Sequence, residues 1–178
     1  EIDMIKFKEL TPFLDKWSYF PNGEDMPELS LEFCKLVIEE SAAKLDLPVE
    51  VFIDQINVGG LFKKEEEACL VVRHPEHIKD YISLVFRLRT QGSMQILQVD
   101  QLGTSKQLKK LHADEFNRKH REERWHNSDH TISQKMLYSV GNKLGNAIAT
   151  FGLNKAKVEQ EQEYYQLLSD ILSQFSND

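Results

Sequence analysis

The stretch 81-YISLVFRLRTQGSMQILQVDQL-102 decides the fold of this chain. Its first half repeats an apolar residue at every second position: Ile82, Leu84, Phe86 and Leu88. That period is typical of a β-strand with one buried face. A second alternating run follows a loop of two or four residues at Gln91-Gly92, so the stretch predicts a β-hairpin.

The predicted register of this hairpin gives its two faces different characters. It sets Leu97 beside Phe86 and Val99 beside Leu84, which makes one face continuously apolar. The other face is half apolar, because it combines Tyr81, Val85, Met94 and Ile96 with Arg87 and Arg89. Such a face predicts a cover, either a helix of this chain or a partner.

Three short helices are predicted before the hairpin. Thr11 and Pro12 fit the cap and the first position of a helix over 12–18. Ser30 caps a second helix whose apolar residues share one face: Cys34, Val37, Ile38, Ala42 and Leu45. A third helix is predicted from the common face of Val49, Phe52, Ile53 and Ile56. Residues 68–72, ACLVV, have instead the composition of a buried strand.

Three more helices are predicted after the hairpin. Thr104 or Ser105 caps the first of them, and the second covers 132–152. The third covers 156–175, with four residues in one stripe: Tyr164, Leu168, Ile171 and Phe175. That stripe suits a helical hairpin with the preceding helix, or a dimer seam.

Together these elements predict the fold class α+β in a single domain over residues 1–178. The N-terminal helices occupy 12–56, and the C-terminal group of three helices occupies 104–175. Between them, residues 57–102 form a small antiparallel β-sheet of three or four strands that includes the hairpin at 81–102.

Composition narrows the class of protein. The chain has 178 residues and a formal net charge of −7, which argues against a surface built to attract nucleic acid or anionic lipid. No apolar run approaches the roughly 20 residues of a membrane span, so no membrane association is predicted. Cys34 and Cys69 sit among apolar neighbours, as free buried thiols do, and this predicts a cytoplasmic protein.

Four of the six histidines fall in one short segment: His112, His120, His126 and His130. Zinc and iron accept imidazole ligands, and the step from His126 to His130 puts two rings on one side of a helix. Asn127, however, stands where the metalloprotease helix motif has its glutamate. A metal-dependent enzyme using residues 112–130 is therefore the first alternative hypothesis, and dispersed polar histidines are the favoured interpretation.

Residues 104–125 form a basic segment within an acidic protein, with seven basic and four acidic side chains. Lysine and arginine neutralise phosphates, and an aromatic ring stacks on an unpaired base. The candidate contacts with nucleic acid or another anion are Lys106, Lys109, Lys110, Arg118, Lys119, Arg121 and Trp125. A solvated helix with mixed charges explains the same residues and is favoured. Nucleic-acid binding is therefore the second alternative.

The sequence contains no constellation of catalytic groups. No serine lies in a Gly-x-Ser-x-Gly elbow, and buried cysteines are poor nucleophiles. The leading hypothesis is a non-catalytic binding or regulatory protein that acts through protein–protein contacts, and a second copy of the chain is one candidate partner. It is motivated by the half-apolar face of the hairpin. Neither enzymatic activity nor a cofactor is predicted.

Overall fold

The computed structural model describes residues 5–21, 28–59, 62–110 and 154–175, with the backbone alone for residues 12–14. These residues form β1 (Ile5–Lys6), β2 (Leu10–Tyr19), α1 (Leu31–Leu45), β3 (Glu50–Asn57), β4 (Glu66–Arg73), β5 (Ser83–Gln91), β6 (Met94–Leu102) and α2 (Lys155–Ser173). A single 3₁₀ turn, Phe7–Glu9, joins β1 to β2. A further helix begins within 106–110.

All six strands belong to one mixed sheet in the order β1-β3-β4-β5-β6-β2. β1 runs parallel to β3, and every other pair of neighbours is antiparallel. β1 and β2 stand at opposite ends of this order, although only the turn Phe7–Glu9 separates them in sequence. Three residues cannot span a flat sheet of this width, so the sheet curls into a nearly closed barrel.

One face of the curled sheet is called the interior here. Apolar residues of both end strands, β1 and β2, pack on this face. Its apolar residues are Ile5, Leu10, Ile56, Cys69, Val71 and Val85, and all of them are buried. Ile5 belongs to one end strand and Leu10 to the other, so residues from the two ends meet inside the barrel. A face can be filled in this way only if it is the concave one.

The opposite face, called the outer face here, carries the larger core under the two helices. α1 contributes Cys34, Ile38 and Ala42, and Ser30 caps it by accepting a hydrogen bond from the Phe33 backbone N–H. The stripe of α2 is buried against the same core: Tyr164, Leu168, Ile171 and Phe175. α2 therefore packs its apolar stripe on the sheet, while the helix predicted over 132–152 lies outside the described residues.

The predicted fold class is wrong in the size and composition of the sheet. The sheet has six strands drawn from residues 5–102, not three or four from 57–102, and it is mixed and curled. The helices predicted over 12–18 and at Val49–Ile56 are in fact the strands β2 and β3. Of the predicted C-terminal group of three helices, the described residues contain α2 and the first turn of the helix at 106–110.

β2 and β3 were predicted as helices because their partner strands are distant in sequence. In β2, Trp17 and Tyr19 alternate with Lys16 and Ser18, and the strand pairs with β6. In β3, the β-branched and aromatic run at 51–53 pairs along its length with β4. A helical face can be drawn through either segment, but long-range pairing decides between the two.

The hairpin at 81–102 is confirmed, with a register two residues away from the predicted one. Phe86 lies opposite Val99, and Leu88 lies opposite Leu97. The loop is the two residues Gly92 and Ser93, and Gly92 has a φ of 62°. A glycine with positive φ at the first position of a two-residue loop is the pattern of a type II′ turn.

Tyr81 precedes β5 and packs in the outer core, so its predicted place on the second face of the hairpin is wrong. Within the four described ranges, no helix combines the length and the apolar character needed to cross a bilayer.

Candidate functional site

The polar end of the barrel interior is the first candidate. Arg87 lies two residues from Val85 on β5, so both side chains point into the interior. On β6, Gln98 lies opposite Arg87 and Asp100 lies opposite Val85, which brings them to the same face. The Arg87 site is defined by these residues and their neighbours across the interior: Phe7, Glu67, Arg87, Gln98 and Asp100.

Arg87 is held in this site by one strong pair. Its Nη2 donates to Asp100 Oδ2 at 2.9 Å, and Gln98 Nε2 donates to the other carboxylate oxygen at 3.2 Å. Glu67 Oε2 is 4.0 Å from Nη1, which is the outer limit of an ion pair. Arg87 is only 1 % exposed, and Asp100 is fully buried. The guanidinium is therefore fixed from the Asp100 side.

Two donor atoms of the same guanidinium lack a hydrogen-bond acceptor. Nε and Nη1 of Arg87 are buried, and neither makes a hydrogen bond within the described part of the chain. Leaving a buried donor unsatisfied costs about 1–3 kcal/mol, so such a group needs an explanation. The ring of Phe7 lies over the guanidinium, with 5.2 Å from Cζ to the ring centroid. Phe7 is 42 % exposed, so the ring that contacts the guanidinium also reaches solvent.

Cys69 borders the Arg87 site and supplies no reactive thiolate. The thiol is fully buried, and burial raises its pKa to about 12. The nearby carboxylate of Asp54 raises the pKa further, while the charge of Arg87 opposes the shift. The thiol of Cys34 in the outer core is also kept protonated, because burial raises its pKa to about 11. Neither cysteine is a nucleophile at neutral pH.

A second buried ionisable group lies on the outer face, in what we call the Glu161 cluster: Ser105, Gln107, Glu161 and Tyr165. The carboxylate of Glu161 accepts from Ser105 Oγ at 2.5 Å and from Tyr165 Oη at 2.6 Å. Gln107 Nε2 donates to its other oxygen at 2.5 Å. Burial raises the pKa of Glu161, and these three hydrogen bonds oppose that shift.

Two histidines and two tyrosines extend this cluster along the connection from β4 to β5. His77 stacks on Tyr81 with 4.0 Å between ring centroids, and its Nδ1 lies 3.0 Å from Asp80 Oδ2. His74 meets Tyr81 and Tyr164 edge to face. Burial lowers the pKa of His74, and the adjacent His77 lowers it further. The rings fix the connection against α2, which is a structural role.

Most of the predicted site residues lie outside the described residues. This applies to His112, His120, His126 and His130, and to Arg118, Lys119, Arg121 and Trp125. The three remaining lysines, Lys106, Lys109 and Lys110, have exposed side chains. Ser105 Oγ accepts from the Leu108 backbone N–H at 3.1 Å and is therefore the predicted helix cap. The metal and nucleic-acid alternatives stay predictions.

Within the described part of the chain, no group of three or more His, Cys, Asp or Glu side chains is arranged to hold a metal ion.

The sequence prediction placed Arg87 on the correct face and missed its partner. In the predicted register Arg87 would lie opposite Ile96, which leaves Asp100 two positions farther along the strand. The actual register puts Gln98 opposite Arg87 and brings Asp100 into contact. Glu161 carried no local signal, because its Ser105 partner lies 56 residues away in sequence.

The chain was compared with protein-family models, with curated proteins and with solved structures, and no match was found in any of the three comparisons.

Proposed function

We propose that this chain is a cytoplasmic, non-catalytic binding protein that acts through protein–protein contacts at the Arg87 site. The observation that carries the proposal is that Nε and Nη1 of Arg87 have no hydrogen-bond acceptor within the described part of the chain. Arg87 lies inside a nearly closed barrel, and the partly exposed ring of Phe7 lies over its guanidinium. A buried donor without an acceptor needs an explanation, and an acceptor supplied by a partner is the explanation proposed here.

The chemistry around the site favours binding over catalysis. The one thiol that borders it, Cys69, has its pKa raised to about 12. Glu161, a carboxyl group whose pKa is raised by burial, makes three hydrogen bonds within a packed cluster on the outer face. A catalytic site needs a nucleophile or base within reach of the position that substrate would take. Arg87 instead offers orientation and recognition.

Phe7 marks the side from which a partner approaches. The 3₁₀ turn Phe7–Glu9 buries none of its three residues, so its surface is available for contact. Aromatic and arginine side chains are the residue types that dominate binding energy at protein interfaces. The cytoplasmic assignment is supported by Cys34 and Cys69, which are both free thiols in buried positions.

The test compares two phenylalanines that differ in position. Tagged wild-type protein and the variants Phe7→Ala and Phe62→Ala are used to isolate partners from an extract of the source cells. The isolated partner is then purified and its affinity measured by calorimetry. Phe62 is fully exposed and outside the Arg87 site, so it serves as the matched control. Light scattering of the purified chain reports whether the partner is a second copy.

We expect Phe7→Ala to weaken the complex at least about tenfold, which is about 1.4 kcal/mol, because it removes an aromatic contact at the site. Phe62→Ala should leave the affinity unchanged. A complex that both variants form with wild-type affinity would refute the Arg87 site as the interface. A strict monomer with no partner would refute the proposed function itself.

A further inference from the structure

We infer that the exposed side of α1 binds a basic amphipathic helix of a partner protein, with a lysine or arginine of that helix facing Glu40. α1 packs on the outer face of the sheet, whereas the Arg87 site faces the interior. This second surface therefore goes beyond the proposed function and does not depend on it.

α1 carries an apolar stripe on the side that points to solvent. Phe33 and Leu36 are 54 % and 53 % exposed. Glu40 and Ala43, which are also exposed, continue the same line at steps of four and three residues. Residues at such steps lie on one side of a helix. The side of α1 that packs on the sheet is a different one, formed by Cys34, Ile38 and Ala42.

α2 shows that exposed apolar residues are not a general property of the helices in this chain. The structure describes α2 in full, and its exposed positions hold polar or charged residues apart from Ala156. On α1, Val37 lies one turn after Phe33 and packs partly on the outer core, so apolar surface continues from the core to the stripe. Single exposed apolar residues are ordinary, but a continuous apolar stripe indicates a contact surface.

The spacing of the stripe is that of a helix that packs on a second helix. The steps of three, four and three residues from Phe33 to Ala43 are those between the a and d positions of a heptad repeat. α1 has 15 residues, so it offers a partner helix a seam about 22 Å long. An extended peptide repeats every second residue and would not match this spacing.

The charges around the stripe decide which kind of helix fits. Residues 28–50 carry six acidic and two basic side chains, which gives this segment a net charge of −4. Lys35 is paired with Glu39 at 3.5 Å, whereas Glu40 forms no ion pair within the described residues. Because Glu40 lies between Leu36 and Ala43 in the stripe, a residue of the partner must face it. A charged residue at such a position selects an oppositely charged partner and fixes the register.

A second copy of the chain is a poorer occupant than a basic helix. Two copies of α1 packed on each other would bring together two segments that each carry a net charge of −4. Like charges across a helix seam are destabilising. A helix with lysine or arginine beside its apolar residues has the complementary charge instead.

The experiment measures the binding of two synthetic helical peptides to the full chain by fluorescence anisotropy. Both peptides have about three heptads, with leucine at the a and d positions and lysine at e and g. They differ at the central a position, which is lysine in one peptide and glutamate in the other. The chain variants are Leu36→Ser and Glu40→Lys. Ile78→Ser is the matched control, because Ile78 is 43 % exposed and lies in the connection from β4 to β5.

We expect the lysine peptide to bind at least about tenfold tighter than the glutamate peptide, because only lysine pairs with Glu40. Glu40→Lys should reverse this preference. Leu36→Ser should weaken binding of the lysine peptide at least about tenfold, because it removes apolar contact area. Ile78→Ser and Phe7→Ala should bind as the wild type does. Circular dichroism checks that each variant keeps its fold.

Three results would overturn the inference: equal affinity for the two peptides, an affinity unchanged by Leu36→Ser, or no binding of either peptide at about 1 mM. Light scattering adds a fourth. A wild-type dimer that Leu36→Ser converts into a monomer would identify a second copy as the occupant and refute the basic helix. A partner complex that is insensitive to Phe7→Ala would refute the Arg87 site as an interface and leave this inference intact.

Discussion

The Arg87 site and the Glu161 cluster each bury a charged side chain, on opposite faces of the same sheet. Glu161 accepts from three donors supplied by the chain itself. Arg87 has one carboxylate at 2.9 Å and keeps two donors without an acceptor. A charge whose contacts are complete within the chain contributes to the fold, whereas a charge with unmet donors also has capacity for an external group.

The largest expected effect is that of Asp100→Asn. The substitution leaves the shape of the side chain and removes the charge that pairs with Arg87, which is 1 % exposed. Breaking a buried ion pair from one side costs about 3–5 kcal/mol. The free energy of unfolding, measured by urea denaturation, should fall by that amount.

The control for this substitution is an ion pair at the rim of the sheet. Arg73 Nε donates to Glu50 Oε2 at 2.7 Å, and both side chains are partly exposed. Glu50→Gln should cost only about 0–1 kcal/mol because solvent screens the pair. Equal costs for Asp100→Asn and Glu50→Gln would contradict the buried character of the Arg87 site.

A smaller effect is expected in the Glu161 cluster. Tyr165 Oη accepts from the Ile82 backbone N–H at 3.2 Å and donates to Glu161 at 2.6 Å. Tyr165→Phe leaves a buried N–H unsatisfied and should cost about 1–3 kcal/mol. The neighbouring Tyr164 donates to the Ile82 carbonyl at 3.3 Å, which is longer than either bond at Tyr165, so Tyr164→Phe should cost about 0.5–1.5 kcal/mol. Thermal unfolding of both variants ranks them, and the reverse order would refute this account.

The pH dependence of stability follows from the same cluster. Burial raises the pKa of Glu161 above its ordinary value of 4.5. Between the two values the folded chain holds a proton that the unfolded chain has released, so stability falls as pH rises through this window. The slope from one such group is at most about 1.4 kcal/mol per pH unit. Asp80 faces the same carboxyl and adds to the shift.

Glu161→Gln should abolish this contribution, which appears as the difference between wild-type and variant stability across the window. His74 has the opposite effect on the pH dependence of stability. Its pKa is lowered from 6.5, so the stability it contributes is lost as pH falls below that value. Urea denaturation at a series of pH values separates the two groups. A wild-type profile unchanged by Glu161→Gln would show that this carboxyl group does not titrate differently in the folded chain.

Apart from the control Glu50→Gln, the smallest effect is expected for Phe7→Ala. Its ring is 42 % exposed and makes a cation–π contact with Arg87, worth about 0.5–1 kcal/mol. By contrast, Phe86→Ala in the outer core should cost about 3–5 kcal/mol. Chemical denaturation of both variants tests this. A loss at Phe7 as large as that at Phe86 would mean that the turn is part of the core.

The sequence predicted those elements whose evidence is local. The helix capped by Ser30, the strand at 68–72, the hairpin at 81–102 and the stripe of α2 each repeat a period over several residues. β2 and β3 were missed because their identity depends on partners far along the chain. In β2 the proline at position 12 also favoured a helix start, although edge strands tolerate proline.

The candidate site was predicted only in part, for a related reason. Alternation along β5 placed Arg87 and Arg89 on the same face as Val85, and that is correct. The identity of the opposing residue depends on register, which the two-residue turn at Gly92 fixes. A four-residue loop over 90–93 would have put Ile96 opposite Arg87 and hidden the pair with Asp100.

The way the barrel closes has a consequence for how the chain folds. β2 pairs with β6, so residues 10–19 must find partners at 94–102 after every other strand has been made. Contacts between such distant segments form slowly, since a long loop must close first. Until β6 has been synthesised, β2 lacks the strand with which it pairs, and its free backbone groups can associate with other nascent chains. Pro12 and Lys16 are residues of the kind that discourage such association, and they lie within this strand.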